Sequence, residues 1–263
     1  MGEDVDSYVA RTLVHVISLL VHQLNGARFQ LILIMGDTQM LSTNTKRITV
    51  LAMLSAMAFL LTYIFYIMPV PPFMPTAPFL NYEPKDVIIV IAGFLFGPLA
   101  VIPTSVVVSL LEMPFSGTGH IGLIMNVLST CAFACPAAFV YKKWKTLKGA
   151  VAGLAVGVLL STTAMLLWNY FLTPIFMTVP RHVVVAMLVP VFLPFNLVKG
   201  TLNAAMAVML YKSVKLALDK SKLLPVPDSA GKGPARVSIG ALLVSAVVLI
   251  SCILIILSWQ GVI

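Results

Sequence analysis

Residues 46–68, KRITVLAMLSAMAFLLTYIFYIM, decide the fold class. After two cations the stretch carries no charge from Ile48 to Met68. That exceeds the roughly 18 consecutive apolar residues that mark a membrane-crossing helix, because backbone groups in lipid must be satisfied within their own segment. The whole 263-residue chain shares this character, with 60% hydrophobic and 10% charged residues and a mean hydropathy of +1.02. Soluble domains carry roughly 25% charged residues. An all-α, multispanning integral membrane protein follows.

The net charge of +8 reports topology and not a nucleic-acid partner. Lys46 and Arg47 precede the first span, Lys142, Lys143, Lys145 and Lys148 follow another, and Lys212, Lys215, Lys220, Lys222, Lys232 and Arg236 follow a third. Such clusters mark cytoplasmic edges. They set the core N-terminus in the cytoplasm and fix the parity of what lies between. The apolar pieces VIIVIAGFLFG and PLAVIPTSVVVSLLEM, divided at Gly97-Pro98, must then form a hairpin of two short helices, since one overlong span would put Lys142 outside.

The remaining spans are IGLIMNVLSTCAFACPAAFVY, the stretch Gly149 to Tyr170, the stretch Pro190 to Tyr211 after a loop with Pro174, Pro180, Arg181 and His182, and VSIGALLVSAVVLISCILIILSW, which ends at Trp259, an aromatic suited to the membrane interface. Gly149, Gly153 and Gly157 recur every four residues, a face on which another helix backbone can approach closely. Four regions are expected: 1–45, a weakly structured or interfacial extension; 46–216, a six-helix membrane domain; 217–236, a basic cytoplasmic linker; and 237–259, an additional transmembrane helix. The extension starts acidic and its apolar residues are broken by His15, His22, Gln23, Asn25, Arg28 and Gln30, which argues against a secretory signal. Met40 is the alternative natural start. Pro69, Pro71, Pro72, Pro75, Pro78 and Pro84 exclude a continuous helix after the first span and predict an ordered external loop acting as a lid.

Few polar groups lie within the spans, and each is informative. Asn126 falls in the fourth core helix, Asn169 near the outer end of the fifth beside Trp168 and Tyr170, and Asn196 and Lys199 in the sixth. Asn196 and Lys199 stand at i and i+3 and share a helix face. An intramembrane ionisable group is costly and faces a cavity or a partner. If the helix starts at Pro190, Lys199 lies about 14 Å in at roughly 1.5 Å per residue.

Catalytic readings find no support. There is no H-E-x-x-H, no G-x-S-x-G and no glycine-rich phosphate loop with its lysine, and Glu83, Asp86 and Glu112 read as external edges. His120 stands alone at an interface. Cys131, Cys135 and Cys252 lie in apolar runs, where free cysteine packs as a small hydrophobe. No metal site or cofactor is expected. An integral-membrane enzyme of lipid metabolism would need clustered carboxylates for a metal.

Five pieces in order, TKRITVLAMLSAMAF, FLNYEPKDVIIVIAGFLFGPL, IGLIMNVLS, LLWNYFLTP and PFNLVKG, resemble the substrate-binding S components of energy-coupling factor (ECF) transporters, most of all the riboflavin-specific ones. The resemblance covers roughly residues 44 to 216. It implies a vitamin-capturing six-helix protein of a prokaryotic plasma membrane that docks on one transmembrane coupling subunit and two cytoplasmic ATPases. By the same resemblance Ala52 and Ala56 match the A-x-x-x-A face that packs on the coupling subunit. Asn169, Asn196 and Lys199 match residues lining the vitamin site, with Asn126 and the loop residues Leu80, Asn81 and Tyr82 as further candidates. Thiamine or pantothenate is the alternative cargo, since the fold is shared among S components. The residues before Met40 and the span after Arg236 lie outside the family's core and have no assigned role.

Overall fold

The computed structural model describes residues 45–67, 74, 77, 80–116, 119–220 and 239–261. The extension, most of the proline-rich loop and the linker at 221–238 lie outside the described residues. The chain divides into two units, Met1–Lys46 and Arg47–Ile263, and the second carries the bundle.

Regular structure among the described residues is helical: α1 (Thr45–Ile67), α2 (Lys85–Phe96), α3 (Pro98–Glu112), α4 (Gly119–Lys143), α5 (Leu147–Met177), α6 (Arg181–Met187), α7 (Leu193–Lys220) and α8 (Ile239–Trp259). Between α6 and α7 the helix continues as a π-turn, Leu188–Phe192. By length and composition α1, α4, α5 and the continuous stretch Arg181–Tyr211 can each cross a membrane.

The expected hairpin is present. Gly97 separates α2 from α3 at φ 91°, a left-handed value that a side chain disfavours, and Pro98 starts α3 where its missing N–H costs nothing. Helix α2 is the centre of the molecule: Val87, Ile89, Val90, Ile91 and Ala92 are fully buried among Val50 and Leu54 of α1, Ala134 and Ala137 of α4 and Ala207 of α7. The glycine stripe does what its spacing predicts. A Cβ at Gly153 would come within 2.6 Å of the Ala137 carbonyl oxygen, and one at Gly157 within 2.3 Å of that of Phe133, so α4 and α5 meet backbone to backbone.

Two proline-based expectations fail. Helix α5 runs through Pro174 to Met177 and stops at Thr178, which is left-handed at φ 52°, so the connection to α6 is short. The last core helix starts at Arg181 and not at Pro190, and Pro190 falls inside the π-turn. Prolines are tolerated in membrane helices where local π adjustments and neighbouring groups satisfy the freed carbonyls.

Arg47 and the Lys142–Lys143 pair lie at one end of the bundle, with the close of α2. Arg47 at the start of α1 donates from Nη2 to the Phe96 carbonyl oxygen at 3.1 Å, at the end of α2, with its guanidinium 5.9 Å from the Phe96 ring. Tyr141, just before Lys142 and Lys143, shares a hydrogen bond with Tyr211. The Phe94 ring lies 4.7 Å from that of Tyr141 and 5.5 Å from that of Tyr211.

Candidate functional site

At the opposite ends of α2 and α3 the side chains are polar and enclosed. Lys85 and Asp86 open α2 and Glu112 closes α3, and none of the three is more than 3% exposed. Lys85 donates to Glu112 and lies 3.4 Å from Glu83 Oε1; Glu83 Oε2 accepts from Lys199 Nζ at 2.7 Å. Asp86 Oδ1 accepts from Thr130 Oγ1 at 2.6 Å. Asn203 Nδ2 lies 3.4 Å from both Asp86 Oδ2 and the Glu83 carbonyl oxygen, while its Oδ1 accepts from the Tyr82 hydroxyl at 2.7 Å. Three carboxylates and two ammoniums thus form one connected network. Burial alone would push the Glu83 carboxyl up, but Lys199 and Lys85 outweigh it and hold the group down at about 2.

This corrects the reading of Glu83, Asp86 and Glu112 as external edges. Polar residues at the ends of helices and beside a proline-rich loop are usually solvated. Here α2 and α3 are short enough for their ends to lie inside the sleeve of longer helices. The acidic cluster surrounds a lysine, and among the described residues no group of three His, Cys, Asp or Glu is placed to hold a metal ion.

A cavity of about 270 Å³ opens on this network. It is lined by Asn126 and Ser129 of α4, Asn169 and Thr173 of α5, Asn196 and Lys199 of α7, Leu80, Asn81 and Glu83 of the first loop, and the apolar walls Ile121, Met125, Met165 and Phe195. The structure therefore brings together six of the sequence-derived candidates: Asn126, Asn169, Asn196, Lys199, Leu80 and Asn81. Tyr82 is not in the wall. Its hydroxyl points to Asn203, burial first and then the nearby Asp86 carboxylate raise its pKa, and its ring lies 5.8 Å from that of Phe65.

Local structure aims the amides. Asn169 Nδ2 donates to the Met165 carbonyl oxygen at 2.7 Å and its Oδ1 accepts from Thr173 at 2.7 Å; Asn196 Nδ2 donates to the Phe192 carbonyl oxygen at 2.7 Å. Phe192 closes the π-turn, a feature frequent at functional sites. Asn169 and Asn196 are thus each held by a carbonyl one turn back in the same helical stretch. Sequence reasoning missed Glu83, Lys85, Asp86 and Asn203. Asn203 had a signal, since Asn196, Lys199 and Asn203 stand at i, i+3 and i+7, one stripe of a helix.

A larger hollow, about 600 Å³, lies between α5, α7 and α8. Thr201 and Ser245 are the polar residues in its wall, and the rest are aliphatic, among them Leu154, Val158, Leu159 and Val208. Specific ligand sites combine apolar walls with convergent polar groups. By that criterion the smaller cavity is the candidate site.

Ala52 and Ala56 are exposed on one face of α1, together with Met53 and Met57, and so do not pack inside this bundle.

The family described as ECF transporter, substrate-specific component, matches residues 46–211. The riboflavin transporter RibU of Staphylococcus aureus is 31% identical over 183 residues, 67% of this chain and 94% of the relative. RibU of Streptococcus thermophilus is 28% identical over 205 residues, 74% and 94% of the two chains, and the riboflavin transporter FmnP of Bacillus subtilis 26% identical over 187 residues, 67% and 96%. A solved S component of a bacterial ECF transporter superimposes with a TM-score of 0.56 at 32% identity, over 66% of this chain and 98% of that one.

Proposed function

The chain belongs to the family of ECF transporter substrate-specific components, and from that premise we propose that it captures riboflavin in the cavity between α4, α5, α7 and the first loop for import. It is a multi-pass membrane protein that binds a substrate and is not an enzyme. The observation that carries the riboflavin reading is the convergence of Asn126, Asn169, Asn196 and Lys199 on one enclosed volume with Met125, Met165 and Phe195 as its apolar walls.

The chemistry fits. An isoalloxazine ring presents carbonyl and ring-nitrogen acceptors and one N–H donor along its edge, which three amides and an ammonium can meet, while its faces need apolar cover. The ribityl chain adds hydroxyls, for which Ser116, Ser129, Thr173 and the Glu83 carboxylate supply partners. A site whose buried polar groups would be left unpaired by the wrong ligand rejects it strongly.

The basic end of the bundle faces the cytoplasm by the positive-inside rule, which sets the core N-terminus inside and turns the cavity outward. The exposed Ala52 and Ala56 face of α1 permits close backbone contact with a transmembrane coupling subunit, and two cytoplasmic ATPases of the ECF module supply the energy. Riboflavin is cargo, and the reading requires no cofactor.

Titrating purified protein against riboflavin fluorescence tests the reading. Quenching should saturate at one flavin per chain and resist excess thiamine or pantothenate. Displacement by either vitamin at equal concentration would assign the cavity to that vitamin instead.

A further inference from the structure

Helix α8 follows the family match, which ends at residue 211, yet it is not a loosely attached span. Its outer face is lipid-like, with Leu243 60% and Val247 62% exposed, whereas Cys252 is 5% exposed. Cys252 belongs to an apolar cluster with Phe195, Val198 and Leu202 of α7 and Met74 and Ala77 of the first loop. Leu80 and Tyr82 pack against that cluster from the loop side. Three separate parts of the chain meet there.

The loop residues in this cluster are those next to the cavity wall. Leu80 touches both the cluster and the cavity. Tyr82 is wedged between them: its body packs on the cluster and its hydroxyl donates to Asn203. Asn81 and Glu83, the residues on either side of Tyr82, stand in the cavity wall, and Glu83 holds Lys199. Tyr82 stands between Asn81 and Glu83 in the chain, so fixing it against the cluster restrains both neighbours in the cavity wall. Helix α7 is divided likewise, with Asn196 and Lys199 in the cavity and Val198 and Leu202 in the cluster.

We propose that α8 is a positioning element of the binding site: by covering the outer side of Leu80 and Tyr82 it holds Asn81 and Glu83 in the cavity wall. The flavin part of the test rests on the proposed function; the loop part does not. The variants are Cys252→Trp, which overfills the cluster, the milder Cys252→Leu, and Val247→Trp on the exposed face of the same helix.

In ligand-free protein in nanodiscs, amide hydrogen exchange at residues 80–83 should accelerate about tenfold in Cys252→Trp, the effect of modest overpacking. Cys252→Leu should follow in the same direction and Val247→Trp should match wild type. Riboflavin dissociation should accelerate about tenfold in Cys252→Trp while association stays within about twofold, a split that general destabilisation does not produce. Unchanged exchange at 80–83 in both Cys252 variants, or an equal effect of Val247→Trp, overturns the proposal. If wild-type protein binds no riboflavin, the vitamin reading falls and the exchange measurement still decides the role of α8.

Discussion

Two hollows among the described residues differ in the opposite sense from their sizes. The groove between α5, α7 and α8 has about 600 Å³ and walls that are almost wholly aliphatic; the cavity has about 270 Å³ and is lined by four asparagines, four hydroxyl-bearing side chains and an ion pair. Within a bilayer, apolar surface between helices is in contact with matter of its own kind, and filling it discriminates little. Buried polar groups are expensive unless paired, so a set of them around one volume selects its occupant. The proposed function places recognition in the smaller space.

Substitutions can break or sharpen that contrast. The largest effect is expected in the buried network, where Lys85→Met leaves Glu112 buried without its ammonium and Glu83 with Lys199 alone. Removing one partner of a buried pair costs about 3–5 kcal/mol, so the variant should fail to accumulate in membranes or unfold at much lower temperature in a detergent thermal-shift assay. Next comes Lys199→Ala, which removes the charged donor from the wall. Riboflavin affinity should fall roughly ten to a hundredfold in a fluorescence titration, corresponding to about 1.5–3 kcal/mol for a hydrogen bond to a charged group.

Asn196→Ala should weaken binding less, about five- to tenfold, because the amide already has an internal partner and the ligand only replaces it. In the apolar groove the expectation is near zero. Leu159, which is 63% exposed there, should accept Leu159→Trp with affinity changed by less than about twofold. A change as large as that of Lys199→Ala would erase the distinction between the two spaces.

The Glu83 pair also makes a pH prediction. Its carboxyl titrates lower in the folded protein than in the unfolded chain, at about 2, so the pair's contribution is complete above the ordinary carboxylate range and is lost as pH falls from there toward that value. The difference in thermal midpoint between wild type and Glu83→Gln should therefore be constant from neutral pH down to about 5 and shrink below it. A difference that grows on acidification would contradict the assignment.

Much of this was legible in the sequence, for physical reasons that single out particular residues. Long apolar runs have one solution in lipid, so α1, α4 and α5 followed from hydropathy, and the parity of the lysine clusters required the break at Gly97. Asn126, Asn169, Asn196 and Lys199 were visible because polar residues within a span need a reason. The network around Lys85 was not visible, because Glu83, Asp86 and Glu112 sit at helix ends and in a loop, where charge is ordinarily solvated. Their burial depends on the lengths of the neighbouring helices, which local pattern does not encode. Pro174 and Pro190 misled for a related cause: a proline breaks a helix in water more surely than in a membrane bundle, where α5 continues through Pro174 and a π-turn absorbs Pro190.

The most direct measurement is the absorption spectrum of the protein purified from cells supplied with riboflavin. The preparation should be yellow, with a flavin spectrum at one flavin per chain in wild type and Leu159→Trp, strongly reduced in Lys199→Ala, and released on unfolding. A colourless wild-type preparation that also leaves the fluorescence of added riboflavin unquenched would contradict the account.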